Sequence, residues 1–271
     1  MKPSIRSAKA ELIVREKFTH FSPYSMAWIV TNEDLRPTMK HIKKNTKNAL
    51  TVAGSGDHPM FTKIYGATHV DTFDISYNAK LIMDIKTNAL SVLSHDDYCK
   101  FLENIHKVYS GTSDIPNMHR IISMLPRGEQ RYFYKMDKYQ LFGRDHFFEF
   151  YSLPTKREYE KMRNNIDKPF NFIWSNITEL HTKLKKEYDF MHISNIFDYL
   201  ETYSACIEVL ESLIPYTARG CKICMMGYHK NMESVCEDFV WKQHLKNNNE
   251  LSWRVSKVQD IANTYILQRK R

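Results

Sequence analysis

Gly54, Ser55, Gly56 and Asp57 follow one another directly, and Asp74 stands twenty positions after Gly54. Two glycines one residue apart let a backbone fold back where any side chain would collide. An acid about 20 residues beyond such a turn is where a nucleotide-binding βαβ unit accepts the hydroxyls of a ribose. Residue types and spacing together point to a ligand that contains adenosine.

The elements that must hold these residues can be read on either side of them. Ala49 to Ala53 is short, apolar and β-branched enough for a buried parallel strand, and it stops on the glycine turn. Pro59 to Tyr65 suits a helix, with Pro59 in the first turn where a missing amide hydrogen costs little, and Gly66 ends it. His69 to Phe73 reads as the second strand and delivers Asp74 at its tip.

What is missing narrows the ligand. A dinucleotide turn needs a third glycine for close approach to a pyrophosphate, and Pro59 stands there instead. A triphosphate loop needs Gly-Lys-Ser or Gly-Lys-Thr, and neither follows. S-adenosylmethionine remains: it has a ribose but no phosphate, and its carboxylate and ammonium tail can lie across a glycine turn. The competing reading is a glycine turn that only shapes a Rossmann-like sheet.

Composition sets outer bounds. The chain has 271 residues, 42% hydrophobic and 26% charged, with only 8 Gly and 9 Pro, which is ordinary globular usage without long linkers. No run approaches the roughly 18 apolar residues of a membrane span, and the first ten residues lack the apolar core of a secretory signal, so a cytoplasmic protein is expected. Five cysteines make an odd, scattered set, against a disulfide framework. Cys221 and Cys224, with His229 and Cys236 downstream, have zinc-like spacing, but they fall in an apolar strand pattern, where residues three apart face opposite ways. No metal is expected. The net charge of +8 would attract an anionic surface. Its lysines, however, are interspersed with helical apolar positions, and the 16 Tyr and 15 Phe show no single-strand-binding spacing, so nucleic acid is not the favoured partner.

Taken in order, residues 1–47 read as a mainly helical N-terminal arm carrying Tyr24, Trp28 and Glu33, which could fold over the ligand. Asn32 to Asp34 also suits a helix N-terminus. Residues 48–271 read as the ligand-binding domain, with a helical insertion at about 95–162. The sheet resumes at Pro169 to Trp174, followed by Ser175-Asn176-Ile177 and a helix through Leu184. In that loop Asn176 could reach the adenine amine, and Ile177 could pack on its ring. Tyr188 to Ile193 is the next strand, and Ser194, Asn195 and Asp198 follow its carboxyl end, where open α/β sheets bind ligands. His192, inside the apolar run, reads as a core histidine. A helix over Tyr199 to Ile214, a strand over Lys222 to Tyr228, a helix over Ser234 to His244 and a last strand over Asn263 to Leu267 complete at least six strands alternating with helices. That is a doubly wound, mostly parallel Rossmann-like sheet.

Several of these motifs, in this order, resemble one family: the class I S-adenosylmethionine-dependent 3-amino-3-carboxypropyl transferases related to the diacylglycerol enzyme of betaine-lipid synthesis. The resemblance rests on Asn32-Glu33-Asp34, Leu50 to Asp57, Val70 to Ser76, Lys86 to Leu93 with Phe101, and Ser194 to Leu200. Nicotianamine-synthase-like enzymes are similar in placing Gly-Ser-Gly after the first strand. The resemblance implies the class I methyltransferase fold and ligand contacts by Gly54, Ser55, Gly56, Asp74 and Ile75. It also implies transfer of the aminocarboxypropyl group, with release of methylthioadenosine, to a small amine, an amino acid or a lipid. Methyl transfer is the alternative, and a non-enzymatic basic binding protein a second. Tyr24, Glu33, Asp57 and Asp198 are the candidates for base or orienting group, unranked by sequence.

Overall fold

The computed structural model of the chain describes residues 27, 29–31, 33–105, 117–135, 153–166, 169–227, 231–246, 253–259 and 264–270. Among the described residues, seven strands form one sheet in the order β3-β2-β1-β4-β5-β7-β6. They are β1 Asn48–Val52, β2 His69–Asp74, β3 Asn171–Trp174, β4 Tyr188–His192, β5 Thr217–Met225, β6 Trp253–Gln259 and β7 Thr264–Arg269. β1 runs parallel to both β2 and β4, and β4 runs parallel to β5. β7 is antiparallel to β5 and to β6. A mostly parallel sheet that reverses its strand order at β1 and finishes on an antiparallel hairpin is the Rossmann-like class I methyltransferase arrangement.

The described residues pack as two compact units: those within 1–34, 53–60 and 74–174 form one, and those within 35–52, 61–73 and 175–271 the other. In the second unit, Ala49, Leu50, Met191, Ile223 and Cys224 have no exposed surface, the mark of parallel strands covered on both faces. Each such large side chain contributes about 1.5–3 kcal/mol by leaving water. The start of β1 is pinned beside β4 because Asp189 accepts hydrogen bonds from the amides of Lys47 and Asn48 at 2.8 and 2.9 Å. Tyr188 donates to Asp71 at 2.7 Å, and burial together with that carboxylate pushes the phenol well above its ordinary range. Helix α1, Arg36–Met39, belongs to this unit, as do α8, Tyr203–Leu213, and α9, Met232–Lys246. Cys221 and Cys224 both lie buried within β5.

The first unit is helical around α3, Tyr77–Val92, whose N-terminus is capped by Ser76 accepting from the Asn78 amide. Leu81, Ile82, Ile85 and Leu90 bury the inner stripe of α3. α4, His95–Asn104, starts on a Ser94 cap, and α7, Lys156–Asn165, on a capping box of Thr155 and Glu158. α5, Met118–Ser123, and α6, Arg127–Lys135, complete the described part of the insertion. α6 is tied to α3 by Glu129, which accepts from Tyr77 at 2.9 Å and from Lys80 at 2.6 Å, while Lys80 also holds Asp84.

Three expectations change. After Ser175 there is no α-helix through Leu184, only a three-residue 3₁₀ turn at Leu180–Thr182: the amides of Glu179, Leu180, Thr182 and Lys183 each bond the carbonyl three residues back rather than four. The helix expected from Tyr199 starts at Tyr203, where Thr202 accepts from the Ala205 amide, and Ile196–Tyr199 is a separate 3₁₀ turn. β6 adds a strand that the pattern did not announce. In the arm, the described residues 33–47 hold only α1. It has Leu35 at its N-cap without a side-chain cap bond, so Glu33 and Asp34 do not cap it, and Asn32 lies outside the described residues. Among the described residues no helix is long and apolar enough to cross a membrane.

Candidate functional site

β1 ends at Val52 and the chain turns through Ala53 to Gly56 before α2, Asp57–Ile64. Gly54 and Gly56 hold φ of 49° and 85°, left-handed conformations that L side chains adopt at a cost. Gly56 has a second reason to be glycine. A Cβ there would lie 2.9 Å from the Met83 Cα, inside the contact limit, so the turn and α3 approach as closely as backbones can. At Gly54 the nearest atom to such a Cβ is the His58 Nδ1 at 3.7 Å, an ordinary contact, so the imidazole lies along the face of this glycine.

Asp74 is not aimed at an open space. One carboxylate oxygen accepts the Gly54 amide at 2.9 Å and the other the Ser76 amide at 2.9 Å, so this acid fastens the tip of β2 to the glycine turn. With the Ile75 amide also directed at it, the carboxylate keeps about one of its four acceptor sites for a further donor. Burial raises the Asp74 pKa to about 6; the Ser76, Gly54 and Ile75 amides and nearby His58 pull the other way. Ile75 is half-buried, and its carbonyl accepts from the Trp174 indole at 2.7 Å.

Two buried polar pairs surround the turn. Asp57 pairs with Lys86 of α3, which has no exposed surface and also donates to the Ile29 carbonyl at 3.0 Å. The other Asp57 oxygen accepts the Thr31 amide at 2.8 Å and the Ser55 hydroxyl at 2.7 Å. Burial lowers the Lys86 pKa, with Asp57 opposing. Removing either partner would strand a buried charge; intact, the pair stitches residues 29–31, the glycine turn and α3 together. The second pair is Glu33 and His58, both 3% exposed, with Oε2 and Nε2 3.0 Å apart. The Glu33 amide donates to the Thr31 hydroxyl at 3.2 Å, which fixes the backbone that presents the carboxylate.

Of the residues singled out by sequence, the first unit therefore gathers Glu33, Gly54, Ser55, Gly56, Asp57, Asp74 and Ile75. His58 and Lys86 join them, and neither stood out as a site residue in the sequence. His58 directly follows Asp57, and Lys86 is a charge beside the apolar stripe of α3; those are the signals that could have found them. In the second unit, Asn176 is exposed with its side-chain oxygen engaged by Thr178, and Ile177 is buried. Ser194 has φ of 53° and donates to the Asn195 side chain at 3.3 Å. Asp198 is half-buried in the 3₁₀ turn after β4. Tyr24 and Trp28 lie outside the described residues.

No family model matches the chain, and no curated protein matches it. Solved structures do. The ribosomal protein L11 methylase of Lactobacillus delbrueckii subsp. bulgaricus is 9% identical, with a TM-score of 0.46, over 88% of this chain and 77% of its own. The O-methyltransferase of Bacillus cereus, in complex with SAH, is 8% identical, with a TM-score of 0.41, over 100% of this chain and 92% of its own. The N-methyltransferase NodS of Bradyrhizobium japonicum, in complex with S-adenosyl-L-homocysteine, is 8% identical, with a TM-score of 0.38, over 87% and 82%.

Proposed function

We propose that the chain is an S-adenosylmethionine-dependent transferase. One observation carries this reading: the Asp74 carboxylate stands at the tip of β2, held by the Gly54 and Ser76 amides, against a turn of two left-handed glycines in which Gly54 is half-buried. The donor set fits the ligand. Asp74 keeps acceptor capacity for a ribose hydroxyl, Gly54 offers a half-buried backbone without a side chain for the tail, and Ile75 offers an apolar surface for a base. Bound there, the co-substrate supplies a sulfonium whose carbon substituents are activated for displacement. The chain's own work is to orient it, to exclude water and to manage the acceptor's proton.

Methyl transfer is the first reading, because the sheet has the class I methyltransferase order. The motif resemblance supports a second, transfer of the aminocarboxypropyl group. The two differ in a nucleoside product. Incubation with S-adenosylmethionine and separate pools of amines, amino acids, hydroxy compounds and lipids, followed by mass spectrometry, is expected to give acceptor-dependent S-adenosylhomocysteine. Methylthioadenosine instead would establish the second reading. Asp74→Ala should weaken S-adenosylhomocysteine binding by about 1–3 kcal/mol in calorimetry; unchanged affinity would refute the site.

A further inference from the structure

We propose that one face of the second unit, centred on Lys43, Lys222 and Arg254, binds the sugar-phosphate backbone of a nucleic acid. This surface shares no residue with the transferase reading and does not depend on it. It begins with a lysine that no acid holds. Half-buried Lys80 and buried Lys86 each pair with carboxylates, as lysines withdrawn from water usually do. Lys222, half-buried on an inner strand of the sheet, donates instead to the His41 carbonyl at 3.2 Å. A bulge in β5 places it there: Tyr188 and Phe190, two positions apart on β4, face Thr217 and Lys222, five apart on β5. Gly220 sits in the bulge at φ 79°, and a Cβ on it would lie 3.7 Å from the Lys43 Nζ. The Lys43 ammonium therefore lies over the bulge. Burial lowers the Lys222 pKa and Lys43 lowers it further; burial lowers that of half-buried His41, and Lys222 adds to the effect. Among the described residues no carboxylate pairs with Lys43, Lys222 or Arg254.

The sheet extends this cluster into a row. Lys222 lies opposite Gln268 of β7, Gln268 lies opposite Arg254 of β6, and directly opposed residues share a face. Lys222, Gln268 and exposed Arg254 thus line up donors across three strands, roughly 10 Å from end to end at the usual strand spacing. Exposed Lys44 stands next to Lys43 and widens the positive field. In sequence these cations are interspersed with apolar positions; strand pairing and the loop after α1 gather them. A row of that length exceeds the span of a single phosphate and suits a chain of them. It offers donors but no aromatic ring, so it grips phosphates without stacking bases and should bind irrespective of sequence. A lipid surface would call for apolar side chains that enter it. The exposed large apolar residues among those described are Met124, Tyr134, Tyr199, Tyr203 and Trp241, and none lies in residues 36–47, β5, β6 or β7.

Fluorescence anisotropy of a labelled oligouridylate, titrated with the full chain at low salt, tests the surface. The expected slope of log affinity against log salt is about −2, from three cations at roughly 0.7 each on a single strand. Lys43→Glu combined with Arg254→Glu changes two exposed side chains, so the fold is kept, and should weaken binding by about 10-fold or more. The control makes the same charge change on α7, where Lys156→Glu and Lys161→Glu also replace exposed side chains, and should shift affinity by less than about 2-fold. Equal losses in the two double variants would mean attraction to the net charge alone and would overturn the surface. So would no binding by the wild-type chain at low salt, or retention by phosphatidylserine vesicles in preference to the oligouridylate. Full release by inorganic phosphate, where chloride of equal ionic strength leaves the complex intact, would overturn it in favour of a single-phosphate site. None of these outcomes touches the transferase reading, which fails instead if S-adenosylhomocysteine does not bind.

Discussion

Replacing Gly56 by alanine tests whether the turn is held by its contact with α3 or only by its dihedral angles. The new methyl group meets two separate obstacles. The backbone at φ 85° is strained for any L residue, which costs about 1–2 kcal/mol. In addition, the Cβ would sit 2.9 Å from the Met83 Cα, a backbone atom of a sixteen-residue helix that cannot swing aside as a side-chain tip would. Overpacking of that kind costs about 1–3 kcal/mol more. Alanine also restricts the unfolded chain, returning about 0.4–1 kcal/mol. Gly54→Ala is the internal control: its φ of 49° carries the same backbone strain, but its Cβ makes only an ordinary 3.7 Å contact with His58. Urea denaturation should therefore rank Gly56→Ala below Gly54→Ala by the overlap contribution alone, about 1–3 kcal/mol. Equal losses in the two variants would refute the claim that α3 sets the closeness of the turn.

Lys86→Met should destabilise the chain by about 3–5 kcal/mol, because Asp57 is left charged and buried. Asp57→Asn combined with Lys86→Met should lose markedly less than the sum of the single changes, and additivity in denaturation would disprove the pairing. The folded Asp74 pKa of about 6 lies above the ordinary 3.8, so the native state holds this proton more tightly than the unfolded chain. Its contribution to stability is fully present below about pH 4 and is lost as pH rises through 6. Asp84 is raised to about 6 for the same reason, so the measurement is the difference between wild-type and Asp74→Asn melts across that window. A pH-independent difference would contradict the buried, ionisable Asp74.

The part of the site that follows from local pattern was legible. β1, the glycine turn and β2 with Asp74 at its tip are consecutive in sequence, and each signal is a matter of residue type within a few positions. What Asp74 binds was not legible, since the Gly54 amide that it accepts belongs to another element. Glu33 could be picked out as an acid before the first strand, but its assignment to a helix start gave way to the His58 partner 25 positions away. Lys86 was hidden because the stripe of Leu81, Ile82 and Ile85 reads the same with or without a lysine beside it. β6 escaped notice because Trp253 to Gln259 mixes apolar with charged residues and has buried Trp253 beside exposed Arg254, so no apolar run marks it. The residue types of 177–184 support a helix, but its backbone bonds close three residues back instead of four, a choice that residue type does not mark.

α3 has a consequence for how such a chain can vary over descent. Met83 receives the glycine turn and Lys86, three positions later, receives Asp57 and the Ile29 carbonyl. Both contacts are read from one helical face, and a helix turns by about 100° for each residue added. An insertion or deletion between Met83 and Lys86 would swing one of them away from its partner, whatever residue were chosen. This stretch can change by substitution but not by length, so the interval from Met83 to Lys86 should stay three residues long in every descendant that keeps the turn.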